Sequence, residues 1–136
     1  MAEALIFDYP PLKLAFRKRY GEMLTMELER DLIRTMVKGF SRVLILWLLS
    51  GKTMSGYTIS KELKRLTGWS FHPGVVYPLL YELEENGLIE GRWEEKGRKR
   101  IKYYSTTKKG GELLSRVKGL LEVPVKEVLR DLMSQP

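Results

Sequence analysis

Residues 71–87, FHPGVVYPLLYELEENG, decide how the rest of the chain is read. Val76, Leu79, Leu80 and Leu83 recur at three- and four-residue steps, the spacing that lines one face of an α-helix. The two prolines fit such a helix only in particular places. Pro73 with Gly74 makes a turn that sets how the chain enters, so the helix is expected to start near Gly74 or Val75. Pro78 then falls at about the end of the first turn, where backbone N–H groups have no helical acceptor. Asn86-Gly87 supplies the stop. A helix begun this way presents unpaired N–H groups and the positive end of its dipole outward, a natural seat for an anionic oxygen such as a phosphate.

Upstream, Leu28, Leu32, Met36, Phe40, Leu44, Trp47 and Leu48 keep one helical stripe between Leu24 and Leu49. From Val43 the segment is apolar on nearly all sides, as where a helix enters a core, and Ser50-Gly51 ends it. Thr53 or Ser55 caps a second, short helix with apolar positions Tyr57, Ile59, Leu63 and Leu66 and a stop at Gly68. Tyr57 reads as core.

Downstream, LIEGRWE (88–94) and RIKYYS (100–105) alternate apolar and polar residues and form a hairpin. The pattern suggests Ile89, Trp93, Ile101 and Tyr103 on one face, with Arg92, Glu94 and Lys102 on the other. Its tip, EKGRKR (95–100), has Gly97 for the turn and three consecutive cations. Thr106 or Thr107 caps a last helical stretch, in which Leu113, Val117, Leu120, Leu121, Val125, Val128, Leu129 and Leu132 hold a stripe that Pro124 interrupts.

The formal net charge of +7 suggests a polyanionic partner. The charge is local: KGRKRIKYYSTTKK (96–109) holds seven cations and no acid. The longest apolar run, VLILWLL (43–49), falls far short of the roughly 20 residues that span a bilayer. With no secretory start and no cysteine, a cytoplasmic, membrane-free protein is expected. Gly51-Lys52-Thr53 ends like a phosphate-binding loop, but the earlier glycine would fall at Leu46 inside a helix. His72 is the only histidine. No catalytic residue, metal site or cofactor is expected. Trp47, Trp69 and Trp93 read as core or interface.

Helix, short helix, turn, helix and a basic hairpin make a helix-turn-helix followed by a wing. The residues SGYTI (55–59), PGVVYPLL (73–80), LEENGLIE (83–90) and RKRIKYYSTTKKG (98–110) resemble the PadR family of winged-helix transcriptional regulators. The resemblance covers about half the chain. It implies a mainly α fold with a small β-hairpin (α+β), a winged helix-turn-helix with additional N- and C-terminal helices for dimerisation. It also implies a homodimeric, repressor-like regulator whose third helix reads double-stranded DNA at a palindromic operator, with the wing supporting it. Any small-molecule effector is unknown. Two departures stand out: Val75-Val76 replaces Thr-Leu, and His72 stands where the family often has a small polar residue.

The expected organisation is an N-terminal arm (1–23), a DNA-binding domain (24–106) and a C-terminal dimerisation helix (107–136). Gly74, Val75, Tyr77, Pro78 and Tyr81 are expected at the groove, with His72 at its edge. The Tyr77 phenol either bonds phosphate or packs against the wing. Arg98, Lys99, Arg100 and Lys102 are expected on phosphates, where flexible cations gain by releasing counterions. Lys61 and Lys64 either touch the DNA backbone or stay solvated. Leu28, Leu32, Met36 and Phe40, and Leu113, Val117, Leu120, Leu121, Val128 and Leu132, carry more apolar area than a winged-helix core can cover, so they are assigned to dimerisation. The alternative function is a winged-helix module that docks on acidic protein surfaces. RNA binding is weaker still, for want of a sheet platform with exposed aromatics.

Overall fold

The computed structural model describes residues 10–70 and 73–136, without the side chains of residues 10–20 and 73. Residues 1–9 of the arm and His72 lie outside the described residues. The elements are α1 (Pro10–Gly51), β1 (Met54–Ser55), α2 (Gly56–Thr67), α3 (Pro73–Glu85), β2 (Ile89–Lys96), β3 (Lys99–Thr106), α4 (Lys108–Leu120) and α5 (Val125–Ser134). Helix α1 thus begins well before Leu24. Pro10 and Pro11 open it, because a first turn needs no N–H from them.

The chain divides into two units, Met1–Lys38 and Gly39–Pro136. In the first, every residue from Gly21 to Met36 is exposed, the apolar Leu28, Leu32 and Met36 included. This stretch of helix is held by its own backbone ladder and local bonds such as Thr25 Oγ1 to the Gly21 carbonyl (2.8 Å).

The second unit has the core. Ile45, Leu46 and Leu49 from the end of α1, Ile59 and Leu63 from α2, and Val76, Leu79, Leu80 and Leu83 from α3 meet Met54, Ile89, Tyr104 and Leu114. Each fully buried Leu, Ile or Val contributes about 1.5–3 kcal/mol by leaving water. The inward stripe read from α3 is therefore the one observed. Tyr57, by contrast, is 70% exposed and not core: at the second residue of α2 it points away from the face that carries Ile59 and Leu63. Trp47, Trp69 and Trp93 are exposed as well, so none is a core residue of this chain.

Local signals set the ends. Ser55 Oγ accepts the Thr58 N–H (3.2 Å) and caps α2, and Gly68, at φ 74°, closes it by donating to the Lys64 carbonyl. At the end of α3, Gly87 takes φ 70° while Leu88 N–H donates to the Leu83 carbonyl. Thr107, not Thr106, caps α4: its hydroxyl accepts from Gly110 N–H (3.1 Å) and donates to the Gly87 carbonyl (2.6 Å). Pro124 splits the C-terminal stretch into α4 and α5. Pro78 lies deeper than expected. Helix α3 starts at Pro73, which puts Pro78 in the second turn and costs the bond its N–H would have made to Gly74.

The sheet is antiparallel with order β1-β3-β2, so the hairpin gains a third, two-residue strand. Its register corrects the expected faces. Trp93 pairs with Lys102, Gly91 with Tyr104 and Ile89 with Thr106, whereas Ile101 and Tyr103 pair with Glu94 and Arg92 on the other face. A two-residue turn at Gly97-Arg98 sets this register, and a shift of one residue would exchange the faces of a whole strand.

Candidate nucleic-acid interface

Helix α3 turns its apolar stripe inward, and this leaves Gly74, Tyr77, Pro78 and Tyr81 exposed on its outer side, with Val75 half-buried. No acidic residue occupies its first turn, so nothing there repels an anion from the N–H groups. Tyr77 is about half exposed, and its ring lies against the start of α2. A Cβ on Gly56 would come within 2.8 Å of Tyr77 Cε1, so the bare glycine is what lets the phenol settle there. Tyr77 thus packs on α2 while keeping an exposed edge. Tyr81, 69% exposed, has no such support.

On α2, Lys61 and Lys64 are exposed, and the Lys61 ammonium lies 5.4 Å from the Tyr57 ring centroid. Arg65 is engaged by Glu62 at 2.8 Å. The hydrogen bond from Arg65 holds the Glu62 carboxyl below its usual range.

The wing is polarised. Its acids, Glu90, Glu94 and Glu95, all lie on β2, whereas β3 has none. Gly97, at φ 64°, forms the turn with Arg98, so the tip cations fall into two settings. Arg98 and Lys99 are exposed. The Arg100 guanidinium lies over the Trp93 ring, 5.2 Å from its centroid. Lys102 differs from all of these: its ammonium is 2.8 Å from Glu84 Oε1 on α3, and the Glu84 hydrogen bond raises its pKa above the ordinary lysine value. Between the wing and the two helices runs an open groove of about 620 Å³ with Tyr57, Tyr77, Trp93 and Arg100 in its lining.

Nothing in the sequence paired Lys102 with Glu84, or Arg42 with Glu82 (2.7 Å), since both contacts exist only once α3 is packed. Gly91 was the one available hint, because a glycine inside a strand often marks a close approach. Of the residues assigned to dimerisation, Leu28, Leu32 and Met36 are exposed in the first unit. In the second unit Leu120, Leu121, Val128 and Leu132 are exposed and Phe40 meets the Trp69 ring edge-on, while Leu113 and Val117 are half-buried. Among the described residues no group of three or more His, Cys, Asp or Glu could hold a metal ion, and no helix is long and apolar enough to cross a membrane.

Comparison with known proteins agrees with this geometry. The chain is 38% identical over 78 residues to the transcriptional regulator YqjI of Escherichia coli, a match covering 56% of this chain and 36% of that protein. It thus spans about a third of that relative's length. A PadR family regulator from Eggerthella lenta superposes with a TM-score of 0.64 at 27% identity, covering 83% of this chain and 99% of the other. Bacillus subtilis PadR, solved in complex with operator DNA, gives a TM-score of 0.51 at 33% identity over 55% of this chain and 43% of its own. The family described as "Transcriptional regulator PadR-like family" matches residues 45–116, from the core end of α1 through the wing to α4. With more than half its length inside that match, the chain belongs to the PadR-like family of transcriptional regulators.

Proposed function

We propose that the chain acts as a homodimer that binds a roughly palindromic operator in double-stranded DNA and represses transcription there. The observation that carries this reading is the outer face of α3, which exposes Tyr77 and Tyr81 and has no acid in its first turn, beside a wing whose β3 strand is wholly basic or neutral. An α-helix fits the major groove, and the exposed phenols and the N-terminus of α3 offer donors to bases and phosphates. Arg98, Lys99 and Arg100 take the flanking backbone, and Lys61 and Lys64 reach a neighbouring phosphate. The DNA-bound Bacillus subtilis PadR supports the assignment by similarity.

Dimerisation rests on two faces that the described residues leave bare. One is Leu28, Leu32 and Met36 in the first unit, and the other is Val128, Leu129 and Leu132 on α5. We assign both to contact with a second copy, the usual way a chain hides such surface. Two-fold symmetry then requires recognition helices about 34 Å apart, one turn of DNA.

Selection of bound duplexes from a random pool at physiological salt tests the proposal. An inverted repeat with that half-site spacing is expected, and a pool that stays unselected would refute it. Replacing Arg98, Lys99 and Arg100 together by alanine should weaken binding to every duplex alike and flatten the salt dependence by about 0.9 per lost phosphate contact.

A further inference from the structure

Lys102 sits midway along the acid-free strand of the wing, yet it is not directed outward as a phosphate contact would be. Its ammonium meets Glu84 Oε1 at 2.8 Å, and the two side chains keep only 25% and 33% of their exposure. To get there its stem crosses Gly91 on the neighbouring strand. A Cβ at position 91 would run into Lys102 Cε and lie 2.8 Å from Glu84 Oε2, so the ion pair fills the space of the missing side chain. The rings of Tyr104 and Trp93 flank the ammonium at 5.3 and 5.8 Å. Glu84 Oε2 is buried without a hydrogen-bond partner, which leaves the carboxylate dependent on Lys102 for compensation.

We propose that Glu84 and Lys102 form a strut that sets the angle between the wing and α3, with Gly91 as the notch it passes through. Lys102 is then a positioning residue, not a phosphate contact. The hairpin is attached to the body at its root, where Ile89 pairs with Thr106, and its cations lie at the far end, where Lys96 pairs with Lys99. With about 3.3 Å of rise per strand residue, a small rotation at the root moves the tip by ångströms. A pair fixed midway along β3 removes that freedom. It also accounts for an acid on the DNA-facing helix: by charge alone Glu84 opposes DNA, and a partly buried pair is retained where it enforces one geometry.

The inference rests on the DNA-binding reading above, so its test has an arm that needs no DNA. Glu84→Lys, Lys102→Glu and the double exchange are compared for affinity toward the selected duplex and for amide hydrogen exchange of β2 and β3 in the DNA-free protein. Glu84→Lys should weaken binding about tenfold, a coupling expected of residues in contact, even though it adds positive charge. The double exchange, with the parent's net charge, should recover to within about threefold. Wing amides should exchange faster in both single variants and return toward the parent rate in the double. Equal or tighter binding by Glu84→Lys would overturn the strut. So would a double exchange as weak as Lys102→Glu alone, which is the behaviour of a phosphate contact. If the parent binds no duplex, the DNA-binding reading fails, and the exchange rates still decide the strut: unchanged rates in the single variants refute it. Glu84→Gln, close in shape, guards against misfolding of the reversed charges. It should bind more weakly than the parent with its unfolding temperature nearly kept, and binding equal to the parent's would again refute the strut.

Discussion

In α3 the stripe of Val76, Leu79, Leu80 and Leu83 is 0–3% exposed, whereas in α5 the stripe of Val128, Leu129 and Leu132 remains 45–63% exposed. Both helices are amphipathic, and both have the periodicity from which a buried face is inferred. Periodicity states that a helix has a face to hide, and the packing decides what hides it. For α3 the cover comes from α1, α2, Ile89 and Tyr104 of the same chain. In α5 no residue is buried, so the core of the second unit closes without that face.

Mutation can break or sharpen this contrast. Leu80→Ala should cost about 2–5 kcal/mol of unfolding free energy, the range for truncating a fully buried leucine, and melting of the protein should report it directly. Val128→Glu with Leu132→Glu should leave spectroscopic helix content nearly intact. Sedimentation should show dimer dissociation raised on the order of a hundredfold or more, since buried apolar anchors at an interface contribute roughly 2 kcal/mol each. A dimer that survives both changes would show that α5 is not hidden by a second copy. Ser55→Ala should cost about 1 kcal/mol, because it orphans the Thr58 N–H at the start of α2, a purely local loss seen in thermal unfolding.

The smallest effect concerns pH. The Lys102 pKa is raised mainly by the hydrogen bond its ammonium donates to Glu84, and that of Tyr104 mainly by burial. Each group therefore holds its proton more tightly when folded. Their contribution is fully present below the ordinary lysine and tyrosine values and is lost as pH rises through the folded ones. Melting temperature should be unaffected by these two groups at neutral pH and decline once the pH passes the ordinary lysine and tyrosine values. Glu84→Gln should shrink that decline.

Much of the scaffold around the candidate site was readable before folding because its parts are local. Gly68, Gly87 and Gly97 all take positive φ at the stops and the turn where the sequence placed them, since only local sterics are at stake. Tyr57 was misjudged because a position at the mouth of a helix has no periodic context to show which way it faces. The faces of the wing were misjudged for a different reason. Matching apolar to apolar across the strands ignored the two-residue turn, which makes odd positions on β2 face even positions on β3.

By itself the sequence determined the order of helices, turn and wing, the inward stripe of α3 and the basic character of β3. These follow from dihedral preferences and from spacing along one chain, interactions whose range is a few residues. Which face of the hairpin carries Lys102, that Glu84 receives it across Gly91, and which apolar stripes find no cover among the described residues were decided only in three dimensions. Those outcomes depend on groups far apart in sequence meeting at ångström precision, and no residue pattern encodes that meeting until the core has formed.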